Sequence, residues 1–219
     1  MNFSRLMDLL ADAELLRGLT PVQRHALLAD CPTQTHPAFT DLLRQGEQAQ
    51  GCFIVVQGRV EISAIDRQGN AMIVHVAGPG EVVGEVEIFS GRPCVATCTA
   101  LPGTTLLSCT AEILWRHVPP QVLVRNFADI LHDRLQRDIR LRTIGQFYSA
   151  EQRICLYIEQ FTAPDYPETR LSQAYLATLA SCSRQTVNRT LGEMRKQGII
   201  ELRRGTIRVL DRARLAVDV

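Results

Sequence analysis

The hydrophobic positions change period three times along the chain. Over residues 5–31 they return every three or four positions: Leu6, Leu9 and Leu10, then Leu15 and Leu16, then Val22, Leu27 and Leu28. This spacing predicts short amphipathic helices. Thr20 followed by Pro21 has the form of an N-cap with proline in the first helical position, so one helix should begin there. From about 38 to 110 the period shortens. Nine of the 14 glycines lie between Gly46 and Gly103 and divide the chain into short apolar runs. Residues 52–57, 59–65, 72–76, 95–100 and 104–109 predict strands rich in β-branched residues. Arg67-Gln68-Gly69-Asn70 predicts a hairpin turn between the second and third. Short strands at regular spacing point to an antiparallel sandwich, jelly roll or barrel.

After Pro119-Pro120 the helical period returns and runs to about Gln146. Leu123, Phe127, Leu131, Leu135 and Ile139 recur every four residues, with Ile130, Leu141 and Ile144 beside them. Arg134, Arg137, Arg140 and Arg142 fall on the polar side. A helix this long can bury its stripe against the body or against a second copy of the chain, and the second is favoured because a small sandwich does not need so long a covering helix. Ser149-Ala150-Glu151-Gln152 has capping-box form and opens a further helix through Phe161. Residues 162–169 are polar and contain two prolines, as a surface connection does. Leu171, Leu176 and Leu179 then mark another helix. Ser181-Cys182-Ser183 forms a tight turn, and Val187, Leu191 and Met194 give the inner face of a second helix. Residues 199–202 and 207–210 predict two strands around Arg203-Arg204-Gly205-Thr206.

Composition narrows this reading. With 219 residues, 46% of them hydrophobic and 21% charged, the chain is of ordinary globular type. Acidic residues at Asp8, Asp12 and Glu14 interrupt the N-terminal region. It reads as neither a signal peptide nor a membrane span, so the cytoplasm is the expected location, with no membrane partner. The seven cysteines include no C-x-x-C pair, so no zinc site is expected, and the thiols read as reduced small hydrophobes. Cys94, Cys98 and Cys109 are the candidates for a redox cluster on neighbouring strands. His25, His36, His75, His117 and His132 are isolated and read as structural, so no metal ligands are assigned. A β-roll enzyme of the cupin kind needs H-x-H spacing with a nearby glutamate, and only His75 lies in the predicted sheet. Neither a nucleophile elbow nor a P-loop is present. The chain is therefore read as having no catalytic residues and as not an enzyme.

Charge is unevenly distributed. Residues 170–219 hold ten basic and four acidic side chains, a balance of +6, whereas 1–169 hold 14 basic and 19 acidic, a balance of −5. A basic segment on an acidic body points to a polyanionic partner for that segment alone. The outward residues of the second helix suit DNA. Arg184, Gln185, Asn188 and Arg189 are the candidates for base contacts, because arginine forks onto guanine and glutamine or asparagine pairs with adenine. Ser183 and Thr186 suit phosphate, as does the helix N-terminus. Arg203 and Arg204, at the hairpin tip, suit backbone contacts beside the helix.

Cys182-Ser183-Arg184-Gln185-Thr186-Val187-Asn188-Arg189 resembles the recognition segment of the cyclic-AMP receptor / fumarate-nitrate regulator (CRP/FNR) superfamily of bacterial transcription factors. Residues 171–210 resemble its winged helix-turn-helix. Two departures are a glutamine at Gln185, where an acidic residue is common, and Ser181, where the family has glycine. Upstream, 44–47 and 53–60 resemble its effector-binding β-roll, and 80–93 its phosphate-binding cassette. The resemblance implies an α+β architecture of three parts: an effector-sensing antiparallel β-roll (jelly roll) with N-terminal helices at 1–118, a dimerisation helix at 119–147 and a winged helix-turn-helix at 148–219. It further implies a homodimer on a pseudo-palindromic double-stranded DNA site, allosteric control, and RNA polymerase as a partner. The effector site maps to Gly84, Glu85, Val86, Cys94, Val95 and Asp138. Gly84-Glu85 matches the cassette. Cys94-Val95 stands where cyclic-nucleotide binders have Arg-Ser or Arg-Thr, and neither side chain neutralises a phosphate. Asp138 and Ile139 replace small hydroxyl residues at the adenine-contacting positions. No cofactor is assigned. The expected effector is a small molecule other than cyclic AMP bound in the usual mode, the alternative being a cyclic nucleotide held by an altered cassette.

Overall fold

The computed structural model describes residues 3–216 except 67–70, 163, 165, 166, 170 and 204. The predicted turn at 67–70 and the wing residue Arg204 therefore lie outside the described residues. In chain order the elements are α1 (Phe3–Leu9), a 3-10 turn at Glu14–Leu16, α2 (Pro21–Asp30), β1 (Thr33–His36), β2 (Thr40–Leu43), β3 (Cys52–Gln57), β4 (Val60–Ile65), β5 (Ala71–Ala77), β6 (Val82–Val83), α3 (Glu85–Ser90), β7 (Thr97–Ala100) and β8 (Thr104–Cys109). Then come α4 (Ala111–His117), α5 (Pro120–Phe147), α6 (Ala150–Gln160), β9 (Glu168–Thr169), α7 (Gln173–Leu179), α8 (Arg184–Lys196), β10 (Ile200–Arg203), β11 (Thr206–Val209) and α9 (Arg212–Leu215). They form two compact units, Met1–Gln136 and Arg137–Val219.

In the first unit two four-stranded antiparallel sheets, ordered β1-β8-β3-β6 and β2-β7-β4-β5, make a β-roll. The uninterrupted apolar run of β3 follows from burial on both faces. Val55 and Leu106 join Val60, Ala100 and Val83 between the sheets. Ile54, Val56 and Leu107 face the other way, onto Leu10, Leu15, Leu16, Leu27 and Leu114 of the covering helices. Thr20 caps α2 as read from the sequence, its side chain accepting from the Gln23 N–H while Gln23 caps in return.

The stripe on α5 divides. Leu123, Phe127 and Ile130 pack into the first unit's own core, whereas Val124, Leu131, Leu135 and Ile139 are exposed. The body of the domain therefore uses one side of the N-terminal half, the alternative that the sequence favours less. Buried Asn126 pins the helix there, donating to the carbonyls of Leu15 and Arg17 at 2.9 and 3.0 Å.

The proposed trio of Cys94, Cys98 and Cys109 is not a cluster. Cys98 lies on β7 in one sheet and Cys109 on β8 in the other. Cys94, in the loop before β7, and Cys98, on β7, point into the core between the sheets, whereas Cys109 points into the core under the helices. There the Cys109 sulfur sits 2.9 Å from that of Cys31, at the end of α2. Burial contributes to pushing each of these thiols up, away from the reactive thiolate.

In the second unit α6, α7 and α8 pack around Ile154, Ile158, Leu176, Leu179, Val187 and Leu191. A three-stranded antiparallel sheet, ordered β10-β11-β9, lies beside them. Arg212 closes the C-terminus of α6, its guanidinium donating to the carbonyls of Glu159 and Thr162. Among the described residues no helix is long and apolar enough to cross a membrane.

Candidate nucleic-acid interface and ligand site

The tight turn between α7 and α8 is a Schellman-type closure. Cys182 N–H bonds to Ala177 O at 3.0 Å and Ser181 N–H to Thr178 O at 3.1 Å. The geometry requires a left-handed residue, and Ser181 takes it with φ of 46°. Ser183 then caps α8, accepting from the Thr186 N–H at 3.1 Å. Val187, Thr190, Leu191 and Met194 recur at helical spacing and are buried, which fixes the opposite face outward.

That outward face carries Arg184, Gln185, Asn188 and Arg189, all exposed. Ser183 is exposed and Thr186 half-buried, their hydroxyl oxygens 2.9 Å apart. An open groove of about 780 Å³ runs along the start of this surface, lined by Ser172, Tyr175, Thr178, Ser181, Cys182 and Arg184. In the wing, Arg203 pairs with Thr206 across the β10–β11 hairpin. It is exposed and donates to Glu201 at 3.1 Å. Glu151 was missed as part of this surface: it lies on α6, yet one oxygen accepts from Arg189 Nη2 at 2.6 Å. Its sequence position at the start of another helix gave no sign of that contact.

The segment that resembles the cassette turns at Gly84, whose φ of 85° is left-handed. A Cβ there would meet Leu43 Cδ1 at 2.6 Å, which that side chain can relieve by shifting, so the left-handed backbone is the main reason for glycine. Glu85 opens α3 fully buried, and Val86 follows half-buried. Arg134 from α5 reaches Glu85, Nη2 to Oε1 at 2.6 Å, and donates to the Val82 carbonyl at 3.1 Å. The approach to Glu85 is an ion pair off the hydrogen-bond axis, and neither carboxylate oxygen receives a directed hydrogen bond among the described residues. Burial pushes Glu85 up to about 7, with Arg134 pulling the other way. Arg134 was read as part of the polar side. Its position extends the inward row Leu123, Phe127, Ile130 by one more turn, and that spacing was the available signal.

Cys94 is buried, and its backbone is stitched to the loop after β2 by bonds to Glu47 O and from Gly46 N, both 2.8 Å. Val95 is 77% exposed, so its side chain faces solvent. Its N–H donates to Glu87 Oε1 at 3.4 Å. Arg92 is exposed on the turn. Asp138 is exposed on the part of α5 that belongs to the second unit. Phe89 of α3 packs edge-on against Phe127 of α5 and Trp115 of α4, at centroid distances of 4.8 and 5.2 Å. The described residues include no His, Cys, Asp and Glu grouping that would hold a metal.

Residues 33–117 match the model of the cyclic nucleotide-binding domain, and residues 152–217 that of the Crp-like helix-turn-helix domain. The chain is 27% identical over 206 residues to the cyclic AMP receptor protein of Thermus thermophilus, covering 92% of this chain and 94% of that protein. It is 25% identical over 225 residues to a CRP-like cAMP-activated global transcriptional regulator of Mycobacterium tuberculosis, covering 95% and 97%. Two solved structures share the fold. FixK2 from Bradyrhizobium japonicum has a TM-score of 0.70 at 19% identity, over 86% of this chain and 99% of that one. The c-di-GMP responsive regulator CLP of Xanthomonas campestris has a TM-score of 0.69 at 22% identity, over 87% and 99%. Both matched domains lie in this chain in the order that its fold displays, and the chain belongs to the CRP/FNR family of transcription regulators, which are not enzymes.

Proposed function

We propose that this chain is a homodimeric, sequence-specific DNA-binding regulator controlled by a small molecule. In this reading residues 1–118 sense the effector, 119–147 dimerise and 148–219 bind DNA. The observation that carries it is the outward face of α8, where four exposed side chains suited to base edges follow a capped helix N-terminus. Arg184, Gln185, Asn188 and Arg189 read bases. Ser183 and Thr186 hold phosphate, and Arg203 and Arg204 track the backbone from the wing. Chromosomal DNA as the ligand places the protein in the cytoplasm, with RNA polymerase as its partner at promoters.

The effector is a small molecule other than cyclic AMP bound in the usual mode. Three observations support this. Cys94 stands at the cassette's arginine position, the Val95 N–H is turned onto the Glu87 carboxylate, and the Arg134 guanidinium is held by Glu85. A carboxylate on that amide disfavours an anion at the same place. Occupancy of the site would reach α5 through Arg134 and through the Phe89–Phe127 contact, biasing the dimer between states. A second reading is a cyclic nucleotide in an altered cassette. Arg134 favours it as a cation already inside the site, and so do the names of the cAMP-responsive relatives.

Selection from random-sequence DNA tests the main claim, run with and without cyclic AMP. Enrichment of a pseudo-palindromic site is the expected result, and failure to enrich one under any ligand condition overturns the proposal. On that site Arg184→Ala relaxes preference at one base pair per half-site by about 1–3 kcal/mol. Arg203→Ala weakens all sequences alike and lowers the salt slope by about 1 per half-site. Calorimetric titration with cyclic AMP separates the two effector readings.

A further inference from the structure

Arg189 is a long, exposed side chain on the outer face of α8, yet it is not loose. Glu151 Oε1 accepts from its Nη2 at 2.6 Å. Glu151 stands on the first turn of α6, outside the recognition helix. Its carboxyl is held below the ordinary range by its own backbone N–H, then by Ser149 and Arg189. The start of α6 is in turn tied to the helix-turn-helix: Arg153 donates to Ala180 O and to Tyr148 O, each at 2.8 Å. A carboxylate anchored to the scaffold therefore grips one nitrogen of the guanidinium. An exposed ion pair of this kind adds little to stability.

We infer that Glu151 is a specificity-determining positioning residue, holding the Arg189 guanidinium in one orientation so that its remaining N–H groups present a fixed fork to a single base. This rests on Arg189 reading a base, as proposed above. Two physical effects follow. Rotamer freedom is reduced before binding, which favours the one acceptor geometry that fits. The carboxylate also repels backbone phosphate, so Arg189 gains little from settling on the wrong partner. Neutralising Glu151 therefore loosens reading while leaving general DNA affinity equal or higher.

The test compares wild type, Glu151→Gln and Arg189→Ala on the site that wild type enriches and on variants with each base pair replaced in turn. Arg189→Ala identifies the base pair concerned. Glu151→Gln is expected to lower discrimination there by about tenfold and nowhere else. Glu151→Ala repeats the measurement with a second side chain and should give the same loss. Matching thermal unfolding midpoints exclude a folding defect, since the Ser149–Gln152 capping box is kept. Full discrimination at that base pair in both Glu151 variants overturns the inference, whatever happens to overall affinity. If Arg189→Ala changes no single base pair, the assignment of Arg189 has failed, and the role of Glu151 falls with it.

Discussion

Ser181 adopts a backbone conformation that side chains avoid. Its φ of 46° is imposed by the closure of α7, where two carbonyls would otherwise lack donors. Replacing it by glycine removes a clash between Cβ and the backbone, and part of the gain is returned as entropy in the unfolded chain. Ser181→Gly should stabilise the protein by about 0.5–1 kcal/mol. A rise in the urea midpoint at unchanged slope is the measurement, and an unchanged or lower midpoint contradicts the assignment. Gly84 is the opposite case. Its φ of 85° is one that side chains rarely adopt, and a Cβ would stand 3.2 Å from the Gly51 carbonyl oxygen, so substitution there costs backbone strain first.

At the scale of elements, α3 and α5 are joined by a charge pair inside an apolar setting. Glu85 has a folded-state value raised to about 7, well above that of an unfolded glutamate. The folded state therefore binds more protons than the unfolded state between those values, and stability falls as pH rises through the window. Glu85→Gln does not titrate. The difference in stability between Glu85→Gln and wild type should grow from about pH 4.5 to about pH 7 and then stay level. Urea midpoints of both proteins across that range measure it, and a constant difference refutes the burial argument. The helices and strands that carry such contacts were mostly legible, because Val187, Leu191 and Met194 or the run 52–57 repeat often enough to show a period. β6 and β9 have two residues each and cannot show one. The partners of Arg134, Glu151 and Cys109 were illegible for a different reason: they lie 49, 38 and 78 residues away and depend on how elements stack. The residues suited to DNA stood out because chemistry and periodicity coincide on one helix. The proposed effector site did not, because the residues assigned to it, Gly84 to Val86, Cys94, Val95 and Asp138, are scattered through the sequence on different elements.

At the scale of the whole molecule, the exposed row on α5 decides whether one recognition helix or two meet DNA. Leu131 and Leu135 are 48% and 59% exposed on the first unit's part of α5, and Ile139, four residues on, is 57% exposed on the second unit's part. A surface of that kind is expected to be covered by a second copy in a C2 arrangement, with the same row on both sides. Two-fold symmetry would then place the half-sites about one helical turn apart. Leu135→Asp puts a charge on each side of that seam without touching the buried row Leu123 and Ile130. The variant should fold and sediment as a monomer. Its affinity for the full site should fall by about 10²–10⁴, because the second half-site is no longer bound at high effective concentration. Its salt slope should fall to about half, since half as many phosphates are neutralised. Sedimentation velocity with gel-shift titrations at several salt concentrations reads both quantities. A monomeric Leu135→Asp protein that kept full affinity and slope would mean that a single winged helix accounts for all the binding, and the two-half-site reading would have to be given up; a wild-type protein that itself sediments as a monomer overturns the dimer.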